Sequence, residues 1–166
     1  MKKLLKLAIV TILLTSIILS CSSCTALILM ANSMINGDEG YDENSNEVMF
    51  YELVSENKQL LDEISLDISN TWLSNGSNSI SAAIDRNQNK ISTVKKNDER
   101  IIELFNELYS DYGDLYYSAE IIMENYNAYY TIVLNPYGKT YDFYIENVQE
   151  SEYYLASSLR DYYVLL

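Results

Sequence analysis

The sequence predicts an all-α protein: an N-terminal transmembrane or signal helix followed by an antiparallel bundle of about four helices. Three observations carry this expectation. The chain opens with a basic front and a long uncharged, mostly apolar run. Beyond it, apolar residues recur at steps of three and four through four successive segments, the spacing of one helix face. Between those segments stand short polar stretches that hold glycines and the single proline, the residues that break helices.

The first element covers residues 1–31. Lys2, Lys3 and Lys6 precede an uncharged run from Leu7 to Ala31, longer than the roughly 20 residues that cross a hydrocarbon core. Read as an uncleaved anchor, it leaves the lysines in the cytoplasm by the positive-inside bias and everything after Asn32 outside. A second reading takes Ile18-Leu19-Ser20-Cys21 as a motif that resembles bacterial lipoprotein signals, with an aliphatic residue three before the cysteine and a small one just before it. Cys21 is then the candidate lipid-attachment residue. The apolar stretch Ala26–Ala31 after Cys24 favours a continuous span over the polar tether usual in lipoproteins. Cleavage near Ala26 is the third reading. It leaves an apolar N-terminus on the mature chain. Anchor and lipoprotein both give membrane lipid as a partner through this segment, with the bulk of the chain extracytoplasmic.

Residues 32–46 form an acidic flexible linker, with Gly37, Gly40, Asp38, Glu39, Asp42 and Glu43. Such a composition builds no core. Residues 47–166 are long enough for one domain with its own core.

Composition excludes several functions. No histidine is present, and both cysteines lie in the apolar run. Ser-His-Asp and Cys-His catalytic arrangements are therefore impossible within this chain. Disulfides contribute nothing beyond residue 31. All 24 acids follow that residue, against 8 of the 11 basic residues, for a formal charge of −16. Such a surface repels nucleic acid, whose binding rests on Lys and Arg. It suits cations or basic proteins, although acidity also serves simply to keep a domain soluble.

The four bundle segments follow in order. From about Glu47 to Leu73, Phe50, Val54, Asn57, Leu61, Ile64, Ile68 and Trp72 share one face. Ser74-Asn75-Gly76-Ser77-Asn78 breaks it. From about Ser79 to Tyr112, Ile80, Ile84, Asn87, Ile91, Val94, Asp98, Ile101, Phe105, Leu108 and Tyr112 keep a heptad seam. Its weakest stretch is Val94–Glu99, where Asp98 can cap a new helix, so one long helix or two collinear ones are expected. Gly113 marks a kink or turn. Leu115, Ala119, Ile122, Tyr126, Tyr129 and Val133 then carry a third seam to Leu134. The β-branched, Tyr-rich piece Tyr129–Val133 continues it and reads as helix. Pro136 and Gly138 end it. The last segment, about Tyr141 to Leu165, aligns Tyr141, Ile145, Val148, Leu155, Leu159 and Tyr162.

Tyrosine is the unusual component: 14 of 16 fall from Tyr109 onward, with doublets at 116–117, 129–130, 153–154 and 162–163. Adjacent helix positions point about 100° apart, so one member of each pair enters the core and the other reaches the rim. The core members are expected to turn their hydroxyls to water. Tyr117, Tyr130, Tyr154 and Tyr163 are the expected exposed members and the candidate partner-binding residues. Polar residues also sit on the seams: Asn57, Asn87, Asp98 and Glu152. Buried polar groups in bundles fix register. A di-iron site needs Glu-x-x-His pairs, and the chain has no histidine. Asp85–Asn89 imitates the start of a calcium loop, but Lys90 and Lys96 occupy the positions that need Gly and Glu. Asp62 and Glu63 are adjacent acids with no convergence readable from spacing. No cofactor and no metal ligand set is predicted.

Tyr126-Asn127-Ala128-Tyr129-Tyr130, leading into Asn135-Pro136-Tyr137-Gly138-Lys139-Thr140-Tyr141, resembles small membrane-anchored or lipoprotein-like helical proteins of Gram-positive bacteria over residues 72–145. There a similar Asn-Pro-x-Gly turn joins two helices. The resemblance implies a helical fold and supplies neither an activity nor catalytic residues. The sequence thus points to a non-enzymatic, membrane-anchored binding protein whose partner is another envelope or extracellular protein. The alternatives are a membrane-embedded modulator of immunity or exclusion type acting through its anchor helix, and a carboxylate-dependent envelope hydrolase.

Overall fold

Ser45 starts the first helix by turning its hydroxyl onto the Val48 amide at 3.3 Å, which satisfies one of the amides a helix start leaves open. The computed structural model describes residues 45–108 and 114–166. The membrane segment with Cys21, the linker through residue 44, Tyr112 and the Gly113 turn lie outside the described residues. Among the described residues the structure is all-helical: α1 (Asn46–Asn75), a 3₁₀ turn (Ser77–Ser79), α2 (Ile80–Arg86), α3 (Gln88–Leu108), α4 (Asp114–Leu134) and α5 (Tyr141–Tyr163). No helix among them is long and apolar enough to cross a membrane.

All seven seam residues expected for α1 are buried, and α1 packs against every other element. It is the central helix of the bundle. It stops at Gly76, whose amide closes on the Trp72 carbonyl at 2.8 Å. Gly76 has φ 78° and ψ 178°, a conformation open essentially to glycine alone. Ser79 fastens the turn, its hydroxyl donating to the Gly76 and Thr71 carbonyls.

The second segment divides, but not where the sequence suggested. The helix runs unbroken through Val94–Glu99, and the break falls at Asn87. The Asn87 side chain donates to its own Ala83 carbonyl at 2.8 Å and to Asp67 of α1 at 2.7 Å. Local competition for a helix carbonyl ends α2 there. At the expected weak point, Asn97 is instead drawn into the bundle by a hydrogen bond to Asn57.

α4 keeps its predicted face: Ala119, Ile122, Tyr126, Tyr129 and Val133 are all buried. Tyr129–Val133 is helical, as its seam required. Pro136 and Gly138, at φ 73°, reverse the chain. Thr140 then caps α5 by accepting from the Phe143 amide. α4 and α5 make the most extensive helix pair. On α5 the buried face begins with Tyr144, not Tyr141 or Ile145, which are half-buried. The Trp72 ring meets Tyr141 edge-on at 5.8 Å and Tyr144 at 5.7 Å.

No heavy atom lies within 4 Å of a Cβ built onto Gly76, so a substitution there tests backbone conformation alone. Gly76→Ala is expected to lower stability by about 1–3 kcal/mol, read as a fall in the urea midpoint at unchanged slope.

Candidate functional site

Two consecutive residues of α1 organise the interior polar groups. Asn57 is completely buried. Its amide donates to the Val94 carbonyl of α3 at 3.0 Å and to the Tyr126 hydroxyl of α4 at 2.8 Å. Its carbonyl oxygen accepts from Asn97 of α3 at 3.1 Å. Both amide hydrogens are therefore used. Burial raises the Tyr126 phenol above its ordinary pKa, and the nearby Asp98 carboxylate raises it further by charge and hydrogen bond.

Lys58 points the other way. Its ammonium donates to Asp62 at 2.9 Å and to Glu152 of α5 at 2.7 Å. Asp62 also accepts from the Tyr129 hydroxyl of α4 at 2.6 Å. Burial works against the Lys58 charge, but the two carboxylates outweigh it and lift its pKa above the ordinary lysine value. Burial likewise raises the Asp62 carboxyl, against the opposing pull of Lys58 and Tyr129. Tyr129 is held well above its normal range, first by burial and then by the Asp62 charge. A lysine held as a cation and phenols held protonated suit cross-helix linkage. They are poor nucleophiles and bases at neutral pH.

A third group ties α1 to the α2–α3 corner. Arg86 donates to both Asp67 oxygens, at 2.8 and 3.3 Å, and to Thr71 at 2.6 Å. Asn87 adds its bond to Asp67. Three of the polar residues expected on the seams thus link helices: Asn57, Asn87 and Glu152. Asp62 converges with Glu152 around Lys58, while Glu63 pairs separately with Lys90 at 2.8 Å. Sequence reasoning missed Lys58, although its i,i+4 spacing to Asp62 is readable. Glu152 comes from 94 residues away, which no local spacing reveals. No group of three or more metal-ligating side chains converges among the described residues.

The tyrosines divide differently from the expectation. Tyr117 is 61% exposed and Tyr154 51%. Tyr130 and Tyr163 are half-buried and pack on the core. Tyr130 leans on Tyr126, and Tyr163 lies against Tyr51 at 5.5 Å. The doublet 153–154 does not straddle the core at all: Tyr153 is 68% exposed, because Leu155 takes the buried position. The core tyrosines also keep their hydroxyls inside rather than turning them to water. Those of Tyr144 and Tyr162 have no hydrogen-bond partner, and burial raises both phenols.

Tyr117 shares the outer side of α4 with Ile121, one turn on and 53% exposed. The Asn125 amide donates to the Tyr154 carbonyl at 3.4 Å. That bond places the Tyr154 backbone beside Asn125. The spacing of Ile121, off the buried seam by one position, was the signal available in the sequence. Comparison with protein-family models, curated proteins and solved structures gives no match.

Two measurements follow from this interior. Tyr129→Phe is expected to cost about 1–2 kcal/mol by removing a bond to a carboxylate. Tyr144→Phe removes an unpaired buried hydroxyl and is expected to hold or raise stability by up to about 1 kcal/mol. Equal losses in thermal or urea unfolding contradict the pairing described. For pH, the Arg86 hydrogen bonds draw the Asp67 carboxyl below its usual 3.8, with help from Asn87. Its folded value is the lower one, so the link acts in full above pH 3.8 and is lost as pH falls through the folded value. Asp67→Asn should lower the urea midpoint near neutral pH and flatten its acid dependence below that point.

Proposed function

We propose that this chain is a membrane-anchored, extracytoplasmic binding protein that acts by recognition and not by catalysis. Its bundle meets another envelope or extracellular protein through the outer side of α4 and α5. The observation that carries this reading is the exposure of Tyr117, Ile121, Tyr153 and Tyr154 on helices whose core-facing positions are already filled. Tyrosine offers large contact area at low entropic cost. The polar groups around Asn57, Lys58 and Asp67 support the same reading, since they are engaged in holding helices together. The basic front and apolar run of residues 1–31 support membrane attachment, by a span or through Cys21. In either form the linker leaves the bundle within reach of a partner near the membrane surface.

A photocrosslinking amino acid placed at Tyr117 or Tyr154 in intact cells should join the protein to one reproducible partner. The same group at Glu99 on α3 should not. The adduct should persist when residues 1–31 are exchanged for an unrelated membrane span. Loss of the adduct on exchange favours a modulator that acts through its anchor. Equal capture from Glu99 removes the α4–α5 face from the reading.

A further inference from the structure

The bundle is made of two helix pairs. α1 packs most extensively on α3 and α4 on α5, while the contacts between the two pairs are sparser. Four fully buried tyrosines of α4 and α5 meet α1 across this seam, and they follow one another along it. Tyr162 lies on Phe50 at 5.8 Å and on Tyr51 at 6.4 Å. Next, the Tyr126 hydroxyl accepts from Asn57, and the Tyr129 hydroxyl donates to Asp62. Tyr144 lies on Trp72 at 5.7 Å. The middle two are thus hydrogen-bonded, and the outer two have hydroxyls without a partner. Lys58 strengthens the middle by its bond to Glu152 of α5. The anchoring residues of α1, from Asn57 to Asp62, span less than two helical turns.

The closed seam therefore carries opposed contributions. Ring packing and the central bonds hold it shut. Tyr144 and Tyr162 work against it, because their hydroxyls give up water on closing and gain no partner. Among the described residues these are the buried side-chain atoms left unpaired, and both belong to α5. We infer that the bundle parts along this seam: α4 and α5 leave α1 and α3 together, with their helices still formed, and the bonds of Asn57, Lys58 and Asp62 set how readily they do so. Opening returns both stranded hydroxyls to water and breaks contacts where they are sparsest. Unravelling one helix would instead give up the closer packing inside a pair. Units that open below the global transition often coincide with such supersecondary pieces. Tyr117, Ile121, Tyr153 and Tyr154 all lie on the departing pair, so they travel with it. The inference stands apart from the binding reading above.

Trp72 supplies the readout. It is the single tryptophan, and its ring touches Tyr141 and Tyr144 across the seam. Its fluorescence follows closure, and far-ultraviolet circular dichroism follows the helices. The full chain is titrated with urea in one uncharged detergent. The Trp72 transition should come at lower urea than the loss of helical signal. Tyr162 meets α1 at Phe50, about 33 Å of helix away from Trp72. Tyr162→Phe removes a stranded hydroxyl and should raise the Trp72 midpoint by about 0.5 M all the same, if the pair moves as one. Glu152→Ala on α5 and Tyr129→Phe on α4 each cut a central bond and should lower that midpoint by a similar amount. Glu63→Ala breaks the Lys90 pair inside α1–α3 and should leave it in place. Superimposed fluorescence and helical transitions in the unchanged protein overturn the inference. A Trp72 midpoint that ignores Tyr162→Phe means fraying near Trp72 alone, and one that ignores Tyr129→Phe means that α5 leaves without α4. Either result overturns the paired movement, as does an equal shift from Glu63→Ala and Glu152→Ala. If Glu152→Ala fails to fold, Tyr162→Phe and Tyr129→Phe decide the matter.

Discussion

The bundle depends on one short stretch of α1, where Asn57 and Lys58 hold three other helices by directional bonds. Asn57 reaches α3 and α4. Lys58 reaches α5, and Asp62, its partner one turn on, reaches α4. Apolar packing supplies the driving force for collapse and is non-directional. A buried amide with both hydrogens committed is directional, because any slip strands polar groups away from water. Register in this bundle is therefore set by a few polar contacts laid across an apolar core.

The same division between inside and outside explains the tyrosines. A phenol brings a large apolar ring and one hydroxyl that needs a partner. Where α1 presents Asn57 or Asp62, a buried tyrosine finds that partner. Where it presents Trp72, Phe50 or Tyr51, the rings of Tyr144 and Tyr162 pack aromatic against aromatic and their hydroxyls go unpaired. Tyr117, Tyr153 and Tyr154 stay exposed on α4 and α5, as does Ile121.

Much of the architecture was readable from periodicity. The faces of α1 and α4, the turn at Gly76 and the reversal at Pro136–Gly138 follow from apolar spacing and from residues with restricted backbones. Other details were not readable. The break in the second segment moved from Val94–Glu99 to Asn87, because Asn87 bonds a distant aspartate while Asn97 is held in helix by Asn57. The α5 face starts at Tyr144, although Trp72 meets the rings of both Tyr141 and Tyr144. Tyr130 and Tyr163 lie against the core because neighbouring rings receive them, while Tyr153 and Tyr154 both face outward. At Asn87 and Tyr163 a contact between residues far apart in the chain overrode a local preference, while Tyr130 rests on Tyr126 of its own helix and Tyr154 yields the buried position to its neighbour Leu155.

By itself, then, the sequence determined the helical class, the seams, the turns and the acidic balance, along with the identity of the polar residues that sit on the seams. These are local properties, fixed by the 3.6-residue period and by the chemistry of each side chain. Only the tertiary structure decided which seam residue meets which, that Glu152 comes back to Lys58, and which tyrosines stay exposed. Such pairings depend on how helices distant in the chain pack against one another, and no spacing along a single helix encodes that.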